Sequence, residues 1–479
     1  MRELTYNNSR KSMLPRDYTK SSNFLERNYA ILNALLGSLG AFCAGLCIGW
    51  SSNAINILAS NTLPLTFENM TPRQVAWVVA VFALGATVSP ILVYRTWRFI
   101  GSKFFIVSGF GFLVASWVLL AIYQNVITMI CARLLAGFAV GSICFILPVY
   151  IEDLASPEQR SIIDYIWQSF VAAGILTEFV MVYLGNMQLI NILSGIVPAI
   201  MLVVFVFMPE SPRYMCTKGQ TNLAKDTLRK FREIGDETEL DVHIWCSKKL
   251  EDRSYRNIFK STSTLRRLLP TFLLVALDQL VGVWVGFLYM SWMFRITGGE
   301  YSHEITSIAV SAIFLVSIWS MKFLGISLSD KKTLVVTGVM MAISLIILGF
   351  YLHERGSYGH LEDYGYIPLV CYGVFIFLYA IGLCRISWKY MRILTPKRRY
   401  FAVRSLCTSL SWMFVVIFAT SYPKLIESVG VGWMFWFMAL ACFLLTILTV
   451  VFVPDLESLS TKYILDDDDH LQHDCEEQT

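Results

Sequence analysis

"MPESPRYMCTKGQTNLAKDTLRKFREI", residues 208–234, begins a polar passage that runs from Pro209 to Arg267 and splits the chain into two matching parts. Six apolar runs precede it, starting near Tyr29, Gln74, Phe104, Val126, Ile162 and Leu189. Six follow it, starting near Leu268, Ile305, Thr333, Ile367, Ala402 and Gly432. A helix needs roughly 20 mainly apolar residues to cross the hydrocarbon core of a bilayer, and each run answers to that need. Composition agrees: the 479 residues are 56% hydrophobic and 15% charged, against about 25% charged in a soluble domain. The chain reads as an all-α polytopic membrane protein with twelve transmembrane helices. Its expected parts are an N-terminal segment 1–28, a six-helix half 29–208, a helical linker 209–267, a second six-helix half 268–453 and an acidic tail 454–479.

Charge placement orients it. Lys and Arg are held on the cytoplasmic side during insertion, and the polar passage carries thirteen of them between Arg213 and Arg267. With that passage cytosolic, Arg95, Arg98 and Lys103, then Lys331 and Lys332, then Lys397, Arg398 and Arg399 fall on the same side as the basic N-terminus, and the opposite loops are sparse in charge. Both termini are therefore expected in the cytosol, and the protein in the plasma membrane. The N-terminal segment is too long and charged for a cleaved signal, so the first span is expected to stay as an anchor. Asn69-Met-Thr71 lies in an outside loop and is a glycosylation acceptor by pattern.

Chemistry-bearing patterns of other classes are missing. The eleven cysteines fall mostly inside apolar runs, without a CxxC pair or a Cys/His set at metal-ligand spacing. No nucleophile stands with a base and no phosphate-binding loop is evident, so an enzyme is not expected, nor a metal, nor a cofactor. The partners implied are the bilayer and a small solute.

Two stretches make the reading specific. "RLLAGFAVGSICFILPVYIEDLASPEQRS" (133–161) sets Arg133, Gly137 and Gly141 at four-residue spacing, then Pro148, Tyr150, Asp153 and Arg160; "PESPR" is intact at residues 209–213. These resemble the fourth-span and post-sixth-span signatures of the sugar porter family of the major facilitator superfamily. Gln168 with Gly174, Gln279 with Gly282 and Tyr289, Trp388, Trp412 and "VPDLESLS" (453–460) extend the resemblance over essentially the whole chain. Within the family it is most similar to the insect trehalose and sugar transporter-like group, as a divergent member.

The resemblance implies two sets of functional residues. A gate would use Arg133, near the outer end of the fourth span, with Asp153, Arg160, Glu210, Arg213, Lys331, Lys332 and Arg399. Surface ion pairs contribute about 0–1 kcal/mol each, which suits a latch between nearly balanced states. The sequence departs from the family here: the basic motif after the second span reads "YRTWRFIGSK" and that after the eighth "SLSDKK", and the acid expected just past Trp388 is replaced by Arg392 or Ile393. The solute site would use Gln168, Asp278, Gln279, Trp284, Tyr289, Arg385 and Trp388, since hydroxyl groups need fixed donors and acceptors and a sugar ring stacks on indole. The family's usual polar residues have become Val281, Trp284, Leu315 and Ser411 with Val415. At about 0.5–1.5 kcal/mol per lost hydrogen bond, four losses weaken the usual sugar pose by roughly 2–6 kcal/mol.

Asp278 stands about 15 Å into its helix, near the midplane, counting from Leu268. An acid there costs about 2.5–3.5 kcal/mol on insertion scales, so it is expected to face the cavity and find a partner. Arg385, near the face of Trp388, is the candidate; a protonated or hydrated Asp278 is the alternative. Arg133 and Glu178, at similar depths in the fourth and fifth spans, are expected to neutralise each other. With no acid in the first span, facilitated diffusion of a sugar or polyol-like solute by alternating access is the leading expectation. A sensor-like protein that keeps the fold without transport is the alternative.

Overall fold

In hydrocarbon every backbone N–H and C=O must be satisfied within the chain, and the apolar runs accordingly form helices. The structure, a computed structural model, describes residues 24–58, 72–122, 125–155, 157–229, 242, 245, 255, 262–324, 329–358, 364–396 and 399–455. Asn69, Lys397, Arg398 and most of the acidic tail lie outside these. Among the described residues there is no strand, and twelve segments are long and apolar enough to span a membrane.

The first half contributes α1 (Phe24–Leu58), α2 (Pro72–Ile100), α3 (Ser102–Ala121), α4 (Val126–Leu154), α5 (Pro157–Met181) and α6 (Met187–Phe207). In the linker, α7 (Pro212–Thr217) starts with Pro212 at its first position, where a missing N–H costs nothing, and α8 (Thr221–Arg229) follows. These two helices do more than bridge the halves: Met215, Cys216, Ala224 and Leu228 bury together with Val242, and Trp245 packs on them. In the second half two spans are interrupted. The seventh is α9 (Thr262–Leu280) followed by α10 (Val283–Thr297), and the tenth is α13 (Ile367–Ile381) followed by α14 (Leu383–Leu394). The remaining helices are α11 (His303–Leu324), α12 (Asp330–Tyr358), α15 (Tyr400–Val429) and α16 (Val431–Phe452). The first break is at Gly282, whose φ of 83° is strained for any L side chain.

Packing repeats between the halves. In the first, α1 lies on α5, α2 on α4, and α3 on both α4 and α6. In the second, the seventh span lies on α15, α11 on α13, and α12 on both α13 and α16. The halves meet through α1 with α10, α2 with α15 and α5 with α11, pairs that the same exchange of halves maps onto one another. Such a two-fold arrangement puts a central space where equivalent helices face each other. Close approach explains the four-residue glycine spacing: a Cβ at Gly137 or Gly141 would strike the α2 backbone at Phe82 or Ala86.

Candidate functional site

The interruptions in α9/α10 and α13/α14 open onto a cavity of about 130 Å³ between the halves. Its wall comes from three equivalent pairs of spans: Ala44 and Ile48 of α1 opposite Asp278, Gln279 and Trp284; Cys144, Pro148 and Glu152 of α4 opposite Cys384, Arg385, Trp388 and Arg392 of α14; and Asp164, Trp167 and Gln168 of α5 opposite Arg404, Thr408, Ser411 and Trp412 of α15. Four indoles give flat apolar faces. The buried atoms Gln168 Oε1, Thr408 Oγ1, Arg392 Nε and Arg404 Nε have no protein partner. Unpaired buried polar atoms are expensive, so this wall is suited to water or to a solute rich in hydroxyl groups.

Six of the seven residues expected at the solute site line this cavity; Tyr289 does not. Its hydroxyl donates to the Ala419 carbonyl at 2.8 Å and its ring stacks on Tyr422, so it fastens α10 to α15. The expected pair between Asp278 and Arg385 is not formed. Asp278 instead accepts from Tyr379 Oη and Gln279 Nε2, both at 2.8 Å, and more distantly from Trp284 Nε1 at 3.4 Å. Arg385 turns toward the linker end, donating to Tyr165 Oη at 2.9 Å and standing 3.8 Å from Asp330 Oδ1, while Lys389 holds the other oxygen of that carboxylate. Depth along the helices allowed the pair, but α12 offers Arg385 a nearer acid and the break after Leu280 brings the Trp284 indole back to Asp278. Trp284, where the resemblance expects a smaller residue, packs with Phe287, Phe314 and Tyr379.

At the linker end the halves are tied by charge. Arg392 of α14 donates to Asp164 at 2.6 Å and to Glu152 at 3.3 Å; Arg404 reaches Glu152 at 3.4 Å. Tyr400 Oη donates to Glu152 at 2.7 Å while accepting from Arg404 at 2.9 Å. Arg404 also lies over the Trp388 ring. Uncharged crossings join these: Trp319 to Ser169 at 2.6 Å and Ser405 to the Pro90 carbonyl at 3.0 Å.

The gate residues expected from sequence fall into several groups. Asp153 and Arg213 form a two-pronged ion pair, with Nη2 at 2.6 Å and Nε at 3.1 Å, and Arg160 adds its charge nearby. Glu210, expected to pair with a cation, accepts the backbone N–H groups of Ser102 and Lys103 at 2.9 Å, capping the start of α3 where a carboxylate suits the helix dipole. Gly101 leaves room for it. Lys331 caps the end of α16 through the Val450 carbonyl at 3.1 Å, Lys332 is exposed, and Arg399 ties α15 to α9 through Thr264 at 2.6 Å. None of these three joins the cluster across the halves. Arg133 lies near the other end of α4, fully buried, donating to the Cys47 carbonyl and to Ser51 and facing the Trp50 and Phe82 rings. It forms no ion pair with Glu178, which accepts from Ser194 at 2.8 Å. Glu152, Asp164, Tyr400 and Arg404 were missed as gate residues; the trace of Glu152, Asp164 and Arg404 in the sequence is charge in or beside apolar runs, which calls for a partner, whereas Tyr400 leaves no such trace.

A family profile described as "Sugar (and other) transporter" matches residues 34–465. The facilitated trehalose transporter Tret1 of Drosophila virilis is 26% identical over 432 residues, covering 89% of this chain and 47% of that protein. Tret1 of Bombyx mori is 24% identical over 439 residues, covering 91% of this chain and 86% of the relative. The chain thus spans about half of the first and most of the second. Among solved structures, the proton:xylose symporter XylE bound to 6-bromo-6-deoxy-D-glucose superposes with a TM-score of 0.73 at 17% identity, covering 90% of this chain and 97% of XylE. A partially occluded, inward-open XylE from E. coli gives 0.71 at 16%, covering 89% and 100%. These share the major facilitator fold.

Proposed function

The chain belongs to the sugar (and other) transporter family, and on that premise we propose that it carries a small sugar or polyol-like solute across a membrane by alternating access. The observation that carries this reading is the cavity on the two-fold between the halves, where four indoles alternate with polar atoms that lack protein partners. Ring faces stack on indole, and hydroxyl groups supply both donors and acceptors for Gln168, Thr408 and the two guanidinium groups. The volume, below the roughly 300–1,000 Å³ of drug-sized pockets, favours a single ring. The linker end is the cytosolic end, given its basic residues, and the termini share that side; the plasma membrane is the proposed location. The proposed boundaries of the parts remain 1–28, 29–208, 209–267, 268–453 and 454–479.

Transport without ion coupling is favoured by what Arg133 meets on α1: a carbonyl and the Ser51 hydroxyl rather than a carboxylate. Uptake of labelled glucose, xylose and trehalose into liposomes containing the full chain tests the reading. A saturable flux that runs in either direction down the solute gradient, unaffected by an imposed proton gradient, is expected. Binding of these sugars without any flux would instead establish a sensor, and neither binding nor flux would remove the sugar reading altogether.

A further inference from the structure

Asp278 is the one acid in the cavity wall without a cationic partner among the described residues. Glu152 and Asp164 are each matched by a guanidinium group, and Arg385 is matched by Asp330. The Asp278 carboxyl is 4% exposed as a residue and receives three neutral groups. One of them, the Trp284 indole N–H, can only donate. A carboxylate offers about four acceptor positions; here Tyr379 fills one on Oδ1, Gln279 and Trp284 fill two on Oδ2, and one on Oδ1 is left. Three donors thus hold an acceptor in place at a helix break, in a wall where the Trp284 indole adds an aromatic face that attracts cations.

We propose that this cavity selects a solute bearing a protonated amine, its ammonium taking the open position on Asp278, so that within the sugar-like class the preferred substrates are amino sugars or amino polyols. This rests on the transport reading above and narrows it. The hydroxyl groups of such a solute meet Gln168 and Thr408, whose side-chain oxygens lack partners. Three other cations, Arg385, Arg392 and Arg404, line the wall, and their repulsion is offset by the carboxylates each already touches.

The test uses liposomes containing the full chain and three labelled probes near neutral pH: glucosamine, its uncharged N-acetyl derivative, and glucose. A charge-assisted hydrogen bond is worth about tenfold or more in affinity, so KM for glucosamine should lie at least about tenfold below that for the other two. Asp278→Asn should abolish that ratio and Asp278→Glu should keep it. Competition binding in detergent reads the same ratio should a variant carry solute poorly. Equal treatment of glucosamine and N-acetylglucosamine, or a preference that survives Asp278→Asn, overturns the proposal, the latter result leaving Asp278 to a proton. Flux of glucose without preference for the amine defeats this inference alone; no binding or flux of any of the three defeats the transport reading with it.

Discussion

The two ends of the cavity are closed by different means. At the linker end, Glu152 and Asp164 of the first half hold Arg392 and Arg404 of the second, with Tyr400 threaded between them. At the far end, the described side-chain hydrogen bond across the halves is one between neutral groups, the Ser291 backbone N–H to Ser52 Oγ at 2.8 Å, and the rest is helix packing of α1 on α10. A buried charge stripped of its partner is costly, and water relieves that cost as soon as the end opens. Neutral side chains feel the difference between open and closed far less. On the proposed alternating-access reading, the linker end is therefore the switchable lock and the far end the contact that yields more easily.

The largest effect should follow from Arg392→Ala. Asp164 loses its 2.6 Å partner, and because the two side chains are partly exposed, at 26% and 22%, the cost lies below that of a fully buried pair, about 1–3 kcal/mol. Opening the linker end hydrates the orphaned acid, so the population moves toward linker-open by roughly tenfold to a hundredfold. Cys144, half-buried in the cavity wall, reports it: modification by a membrane-impermeant maleimide added on the linker side should accelerate correspondingly, and much less in Arg392→Lys. An unchanged rate in Arg392→Ala would break the comparison at its strong end.

Next in size is Gly282→Ala. A left-handed φ costs a non-glycine residue about 1–2 kcal/mol, and the added Cβ would lie 3.0 Å from the Met438 methyl group. The interrupted seventh span would be strained just beyond Asp278 and Gln279. Transport should fall roughly tenfold with the maleimide rate at Cys144 little changed, which separates damage to the site from damage to the lock. Equal loss from alanine at Gly185, an open left-handed position on the far side, would show that strain anywhere in the bundle suffices.

These two positions also mark what the sequence could and could not disclose. Span number followed from hydropathy, because lipid forces helices, whereas the residues lining the cavity were reached through the resemblance of their motifs to the sugar porter family. Asp153 and Arg213 were legible as a pair because both lie in short motifs at neighbouring span ends. Arg392 was visible only as a departure. Its partners sit in α4 and α5, more than two hundred residues away, and distance across the cavity is set by the packing of the halves, which no one-dimensional depth count contains. The same limit misassigned Arg385 to Asp278, and Arg133 to Glu178: each pair shares a depth, but Asp330 and Tyr165 stand nearer to Arg385, and the Cys47 carbonyl and Ser51 nearer to Arg133. Glu210 shows a different blind spot. Its partners are backbone N–H groups at the start of α3, and a search for opposite charge does not consider them.

The smallest effect should come from Ser52→Ala at the far end. The substitution removes one acceptor from a backbone N–H in α10, and a neutral hydrogen bond contributes about 0.5–1.5 kcal/mol net. That shifts the balance toward far-open by a factor of roughly two to ten, in the opposite sense to Arg392→Ala, so the maleimide rate at Cys144 from the linker side should fall slightly. Combining Ser52→Ala with Arg392→Ala then sharpens the comparison. In alternating access one end opens as the other closes, so the two changes act on a single equilibrium and should add: the double variant should recover a few-fold of the excess labelling caused by Arg392→Ala. A Ser52→Ala shift as large as that of Arg392→Ala would mean that packing, rather than charge, closes this transporter at both ends.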